Sequence, residues 1–222
     1  MSVIHIRELL LQQFNASFVG FAKMQDLLPE EYVEQPYGIS IGVRLSDSIV
    51  DSLHSGPNQL YAYHYHAVNK YLNDLALHVM NYLQKRKYQA LPIPASMTVD
   101  WKSHMAHLSH KMVATQAGLG WIGKNTLLVT KKFGPRVRLV TVLTDAPLRT
   151  GRPVNESQCG KCEECVKACP VGAILGNNWT PGQKRATLLD VDKCSDFIDM
   201  HKADLGAPVC GICMQACPMG AR

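Results

Sequence analysis

All eight cysteines of this 222-residue chain lie within its last 64 residues. Four of them form a run with the spacing C-x2-C-x2-C-x3-C-P, and these are Cys159, Cys162, Cys165 and Cys169. The other four are spaced more widely and also end in Cys-Pro, and these are Cys194, Cys210, Cys213 and Cys217. Thiols concentrated in one segment constrain the fold strongly, because they must meet around metal centres or in disulfides.

The spacing of the first run is typical of iron–sulfur ligation in bacterial ferredoxins. Eight thiolates are the number that two [4Fe–4S] clusters require, at four each. Zinc sites usually show two C-x2-C pairs without the following prolines, and a disulfide framework is typical of a small secreted chain. The sequence therefore predicts two [4Fe–4S] clusters that are bound by all eight cysteines.

The cysteine before the proline points away from the first three, since it lies about one helical turn further on. In two-cluster ferredoxins this cysteine ligates the other cluster. We therefore predict one cluster bound by Cys159, Cys162, Cys165 and Cys217. The second cluster would be bound by Cys169, Cys210 and Cys213. Cys194 is the candidate for its fourth ligand, an assignment that the spacing leaves open.

Composition and charge limit the remaining possibilities. No apolar run reaches the ~18 residues of a membrane span, and the N-terminus lacks a signal-peptide layout. These features predict a cytoplasmic protein without a membrane partner, and the clusters favour an anaerobic interior. Residues 1–150 hold 15 Lys+Arg and 10 Asp+Glu, so the net charge of +5 lies there. Two loaded clusters add about −4, which weakens an inference of nucleic-acid binding from charge alone.

Periodicity before the cysteines predicts an α/β (α+β) domain. Helical patterns cover 1–30 in pieces, 61–87, and 103–116 with Ser103 as its cap. Strand patterns cover 38–45, 96–99, and the runs 126–130 and 136–143, which a loop at 131–135 would join as a hairpin. These elements do not alternate as βαβ units, so we expect a mixed or antiparallel sheet. The predicted domains are 1–150 and a ferredoxin-like 151–222.

A glycine-rich stretch, Gly118-Leu-Gly-Trp-Ile-Gly-Lys-Asn-Thr126, lies between the last helix and the predicted hairpin. It contains G-x-G-x-x-G, but the dinucleotide fingerprint must follow a strand and open a helix. It also approaches the P-loop pattern, with Asn125 where a Ser or Thr is needed. Two interpretations remain. The stretch is either a tight glycine turn or a loop whose backbone a large flat cofactor can approach.

The stretch 117–126, a strand that ends at Leu143-Thr-Asp145, and the double-cluster segment together resemble epoxyqueuosine reductases. That family and the reductive dehalogenases are cobalamin-dependent iron–sulfur enzymes. Tyr65-His66 also resembles the Asp-Tyr-His segment of the family, with His64 in place of Asp. The resemblance implies a nitroreductase-like, cobalamin-binding domain followed by the ferredoxin-like 2[4Fe–4S] domain.

The resemblance also implies a cobalamin site, with flavin as the alternative cofactor. Its predicted residues are Gly118, Leu119, Gly120, Trp121, Ile122, Gly123, Lys124, Asn125, His66 and Lys111. Lys111 is included because the predicted 103–116 helix places it on one side with His104, His107 and His110. That side is either a solvated polar face or the polar wall of a cofactor pocket.

Two residues are candidates for the catalytic proton donor. The family carries an aspartate in a Val-Asp-x-x-Pro segment, and Thr98-Val-Asp100 resembles it from a position about four residues upstream. Counting back from the glycine motif without a gap reaches His104 instead. Histidine delivers a proton near neutral pH without any shift of its pKa. Resemblance therefore favours Asp100 and chemistry favours His104, and both could instead be surface groups.

These features predict an oxidoreductase that passes electrons through its clusters to a corrinoid for reductive chemistry. Its substrate would be a small molecule or a modified nucleoside, and its electron donor a ferredoxin or flavodoxin. A tRNA partner is disfavoured, because the family's reductases carry a C-terminal helical-repeat region and this chain ends at Arg222. The alternative is an electron-transfer accessory protein. Basic residues near the predicted hairpin form either a solvated tip or a contact for an acidic partner or RNA phosphate: Lys131, Lys132, Arg136 and Arg138.

Overall fold

The computed structural model describes residues 5–100 and 103–220. The chain forms two compact units, each built from three segments. The first comprises Met1–Val43, Val68–Leu119 and Arg138–Val154, and the second comprises Arg44–Ala67, Gly120–Val137 and Asn155–Arg222. The second unit thus combines the cysteine-rich segment with two earlier ones. The division into domains 1–150 and 151–222 stays a prediction.

The described residues form six strands and seven α-helices. The strands are β1 (Phe18–Lys23), β2 (Tyr37–Arg44), β3 (Ala90–Ile93), β4 (Trp121–Ile122), β5 (Leu128–Val129) and β6 (Val137–Thr144). The helices are α1 (His5–Glu8), α2 (Asp47–Asp51), α3 (Gln59–Gln84), α4 (His110–Gln116), α5 (Glu164–Ala168), α6 (Val191–Leu205) and α7 (Ile212–Gln215). A short π-helical stretch, Leu9–Gln13, follows α1. None of the described helices is both long and apolar enough to cross a membrane.

The main sheet has the strand order β1-β2-β6-β3. Strands β1 and β2 pair antiparallel from Phe18 opposite Gly42, and β3 pairs antiparallel with β6 from Ala90 opposite Thr144. Pro92 lies within β3, where an edge strand tolerates a residue that has no N–H to donate. The expected α/β fold with a mixed or antiparallel sheet is confirmed.

The long helix α3 is confirmed, within three residues of the predicted bounds. Its buried side chains recur at helical spacing, and they are Val68, Leu72, Leu75 and Val79. In the first unit, a core cluster joins Met24, Val113 and Leu143 from different elements. Each such side chain contributes roughly 1.5–3 kcal/mol when it leaves water, which is why periodic apolar residues predicted α3 well.

Other predicted elements were wrong. Residues 18–23 form strand β1 rather than helix, and 96–99 form no strand, because the strand lies earlier at β3. Helix α4 begins at His110, not after Ser103. The side chain of Ser109 accepts from the backbone N–H of Met112, so Ser109 is the N-cap.

The predicted hairpin of 126–130 with 136–143 was also wrong. Strand β5 pairs with β4, with Trp121 opposite Val129 and Ile122 opposite Leu128, whereas β6 belongs to the main sheet. The turn between β4 and β5 is closed by a bond from the Gly123 N–H to the Leu127 carbonyl. Within it Thr126 has a φ of 59°, a left-handed conformation that β-branched residues rarely adopt.

Candidate iron–sulfur site

Three helices of the second unit carry one cysteine each. Cys165 lies on α5, Cys194 on α6 and Cys213 on α7. The carboxylate of Asp190 accepts from the backbone N–H of Lys193 and so caps α6 one turn before Cys194. All eight thiols are free, Cys162 is exposed, and Cys165 is buried. The remaining cysteines are half-buried.

The mutual electrostatic influence of the thiols divides them into two groups. Burial raises the pKa of Cys165 to about 11, and the charges of Cys159, Cys217 and Cys162 raise it further. Burial likewise raises the pKa of Cys194 to about 11, with added contributions from Cys210 and Cys169. The first group holds the four cysteines predicted for one cluster, and the second holds three of those predicted for the other. The assignment of ligands to the clusters stays a prediction. Burial is the main cause of the raised pKa of Cys213. The charges of its own group raise this pKa further, and so does the charge of Cys165 in the other group.

The thiols and their neighbours fit two [4Fe–4S] clusters. Thiols with a raised pKa hold their protons until a metal displaces them, so cluster binding would release protons. A backbone N–H of Ala173 lies 3.3 Å from Cys169 Sγ, a donor of the kind that stabilises cluster sulfur. Within 5–100 and 103–220, no three His, Cys, Asp or Glu side chains are gathered closely enough for one metal ion. Thiolates of a [4Fe–4S] cluster bind four separate irons and therefore stand farther apart than the ligands of one ion.

The glycines of the 118–126 motif are closely packed against the chain itself. A Cβ at Gly118 would lie 2.6 Å from the Arg152 carbonyl oxygen, within the first unit. In the second unit, a Cβ at Gly120 would meet the Val129 carbonyl oxygen, and one at Gly123 would lie 2.7 Å from Asn125 Oδ1. Packing within the chain therefore accounts for these glycines. Their faces do not fit a corrinoid cradle, because the chain's own atoms occupy them.

Two other residues of the motif contact the cysteine segments. The indole Nε1–H of Trp121 donates to Cys159 Sγ at 3.4 Å, and the Asn125 amide donates to the Cys213 carbonyl at 3.2 Å. Lys124 between them is 4% exposed. The sequence assigned these residues to a cofactor pocket. Their contacts with the cysteine segments could not be read from a motif that ends more than 30 residues before Cys159.

The proton-donor candidates Asp100 and His104 lie in one tight turn of the first unit. Asp100 and Met105 exchange both backbone hydrogen bonds, which closes the turn. The Ser103 hydroxyl donates to the Asp100 carboxylate, and His104 has a φ of 52°. Residues 101 and 102 lie outside the described part of the chain. The two candidates are therefore neighbours on one turn, and neither lies on a helix.

The remaining candidates are distributed over both units. His66 is exposed on α3 in the second unit, edge-to-face with Tyr65. Lys111 is half-buried on α4 in the first unit. Only His110 and Lys111 of the predicted basic wall lie on the helix. His107 precedes it and its Nδ1 lies 2.9 Å from the hydroxyl of Tyr32.

Arg136 is a residue whose placement the sequence did not indicate. It was predicted at a hairpin tip, but it is 4% exposed in the second unit, whereas Lys131 and Lys132 are exposed. Its Nη1 lies 2.7 Å from Asp51 Oδ1 and 3.5 Å from Asp47 Oδ1. A basic residue in a polar run gives no sign of burial when its acidic partners lie about 90 residues away.

Fold and cysteine arrangement together define an iron–sulfur protein with an antiparallel sheet and a ferredoxin-like segment. Residues 158–220 match the family described as 4Fe-4S double cluster binding domain. More particularly, the chain is similar to epoxyqueuosine reductases. The enzyme of Listeria monocytogenes is 37% identical over 117 residues, which are 50% of this chain and 29% of that protein. The chain spans only about a third of the length of the curated relatives it matches.

Two solved structures share the fold. One is an epoxyqueuosine reductase with a tRNA-Tyr epoxyqueuosine-modified stem loop, at a TM-score of 0.64 and 18% identity over 99% of this chain and 66% of that chain. The other is a reductive dehalogenase described as suggesting a mechanism for B12-dependent dehalogenation. Its TM-score is 0.72 at 18% identity, over 94% of this chain and 30% of that one. The resemblance predicted from the sequence is confirmed.

Proposed function

We propose that this chain is an iron–sulfur reductase in which two [4Fe–4S] clusters deliver electrons to an acceptor at the α/β part. The observation that carries the proposal is the match of residues 158–220, which hold all eight cysteines, to a double cluster binding domain. When bound, such clusters supply one-electron transfer. The chain's own contribution is to shield Cys165 from water and to present N–H donors to sulfur.

Anaerobic reconstitution tests the cluster content. The chain should bind about eight iron and about eight sulfide, as two [4Fe–4S] clusters require. Iron and sulfide are measured colorimetrically, and the reduced clusters are counted by electron paramagnetic resonance (EPR). Stoichiometric zinc without iron after the same treatment would contradict the proposal.

A corrinoid is the first candidate for the electron acceptor, and flavin is the second. The support for a corrinoid is the similarity in fold to a protein described in connection with B12-dependent dehalogenation. The glycines of the 118–126 motif give no additional support for a corrinoid, because atoms of the chain itself occupy the space beside them. Cluster-loaded protein is titrated anaerobically with cob(II)alamin and, separately, with flavin mononucleotide. A saturable spectral change with one of them identifies the electron acceptor. If neither produces a change, both corrinoid and flavin are excluded as the acceptor.

Reduction of epoxyqueuosine in tRNA is the activity to test first, since the named relatives are epoxyqueuosine reductases. Turnover by the loaded protein, with a reductant and cobalamin, would establish it. The second candidate is an electron-transfer accessory without its own substrate. That role would be favoured if the loaded protein reduces a partner protein but leaves epoxyqueuosine-tRNA unchanged.

The proposed proton donor lies on the Asp100–Met105 turn. Loss of a general acid costs about 10²–10⁴ in rate, so Asp100→Asn or His104→Ala should lower turnover by such a factor. Cluster content should stay at the parental level. His107→Gln is the control, because His107 lies outside the turn and bonds to Tyr32. Parental turnover in both test variants would exclude both residues.

A further inference from the structure

The two four-thiol groups have different surroundings in the second unit. Beside the group of Cys159, Cys162, Cys165 and Cys217, the Trp121 side chain is 2% exposed and its indole N–H points at Cys159 Sγ, 3.4 Å away. An indole N–H can only donate, and a buried one requires an acceptor. Cys159 sulfur supplies that acceptor.

A buried cation acts on the same group. The Arg136 side chain is 5% exposed, and its Nε is buried without a hydrogen-bond partner among the described residues. A Cβ at Gly134 would meet the Met219 carbonyl oxygen, so the turn that precedes Arg136 packs against the residues that follow Cys217. Asp47 and Asp51 each lie within ion-pair distance of the Arg136 Nη1 and neutralise part of its charge.

The described hydrogen bonds to sulfur in the other group come from the backbone. They are donated by the N–H of Ala173, to Cys169, and by the N–H of Ile212, to Cys210. One group therefore has an indole donor and a nearby guanidinium, whereas the described donors to the other group are backbone N–H groups.

Reduction adds one negative charge to a cluster and changes no covalent bond. A hydrogen-bond donor and a nearby cation stabilise the more negative state, so both raise the reduction potential. We propose that Trp121 and Arg136 make the cluster of Cys159, Cys162, Cys165 and Cys217 the higher-potential one. An electron from a low-potential one-electron donor then comes to rest on that cluster. This inference rests on the proposed binding of two [4Fe–4S] clusters.

A redox titration of the loaded protein with dithionite, followed by EPR, tests the inference. Trp121→Phe keeps the aromatic ring and removes the N–H donor. It should shift the first-reduced cluster to lower potential and leave the second unchanged. Trp179→Phe is the matched control, since this half-buried indole has no described bond to a cysteine, and it should move neither potential. An unchanged first potential in Trp121→Phe, or a shift of the second cluster alone, would overturn the role of Trp121.

Asp51→Asn is a second test variant, which should shift the reduction potential in the opposite direction. It removes a negative charge beside Arg136 while keeping a hydrogen-bond acceptor, so the first-reduced cluster should shift to higher potential. This variant also decides the matter if Trp121→Phe fails to fold, and a fall or no change in that potential would overturn the inference. Iron and sulfide content separates the two levels of failure. Parental protein without clusters refutes the proposed function, whereas two clusters with unmoved potentials refute only the tuning.

Discussion

At the scale of single residues, His110 shows how burial changes a histidine that the sequence placed on the polar side of a predicted helix. Its Nε2 lies 2.9 Å from the Pro94 carbonyl, which can only accept, so Nε2 carries the proton. Nδ1, 2.9 Å from Thr141 Oγ1, then accepts from that hydroxyl. Burial lowers the pKa of His110 to about 4, and the nearby Arg138 charge adds to the shift. His110 is therefore a neutral structural residue at pH 7.

We predict that His110 stays uncharged from pH 8 to pH 5.5, whereas exposed histidines titrate near 6.5. The lowered pKa means that the folded state binds fewer protons than the unfolded chain between pH 6.5 and about 4. The contribution of His110 to stability is thus present above pH 6.5 and is lost as the pH falls through that window. NMR of the imidazole C–H signals of His110 across this pH range measures its protonation. A His110 signal that titrates near pH 6.5 would contradict the structure.

At the scale of elements, the β4–β5 hairpin separates the two interpretations of the glycine motif. A methyl group at Gly120 would meet the Val129 carbonyl oxygen, which belongs to the opposite strand. A strand backbone cannot move away as a flexible side chain can. The glycine is therefore required for pairing, whether or not a cofactor is present.

We predict that Gly120→Ala destabilises the protein by roughly 2–3 kcal/mol, in the upper range for overpacking. In a chain of this size its Tm should fall by roughly 5–10 °C. Gly182→Ala is the control, because a Cβ there would meet nothing within 4 Å. Its only expected cost is about 1 kcal/mol of backbone strain, since an alanine must adopt the left-handed φ of 79°. Thermal unfolding of loaded protein without added corrinoid or flavin measures both. Equal Tm values for Gly120→Ala and the parent would show that the glycine serves something other than the hairpin.

Local patterns predicted some elements and not others for physical reasons. The helix α3 was predictable because its own residues Leu72, Leu75 and Val79 repeat the helical period. The partner of β5 was not, because β4 has only two residues and β6 offers a longer apolar run in the sequence. Pairing is decided by the turn at 123–127, whose left-handed residue is Thr126 rather than a glycine.

At the scale of the whole molecule, the cysteine arrangement was more predictable than the rest of the site. Ligand spacing is a local constraint, since each short loop must follow the surface of a cluster. The contacts of Trp121 and Arg136 are long-range, and nothing in their neighbouring residues marks them. The fold joins them to the cysteine segments within a unit that is assembled from three separated stretches.

The grouping of thiols predicts which cysteine variants lose the same cluster. We group Cys169 with Cys194 rather than with its neighbour Cys162, because the spacing predicts this pairing and the charges of Cys169 and Cys210 act on Cys194. Cys169→Ala, Cys194→Ala and the double variant should therefore each lose about four iron, as one [4Fe–4S] cluster. Adding Cys162→Ala to Cys169→Ala should instead remove about eight. Iron content and EPR of anaerobically reconstituted protein measure this, with Ser195→Ala on α6 as the control that keeps both clusters. If Cys194→Ala retained both clusters, or if the Cys169–Cys194 double variant lost both, the partition would be wrong.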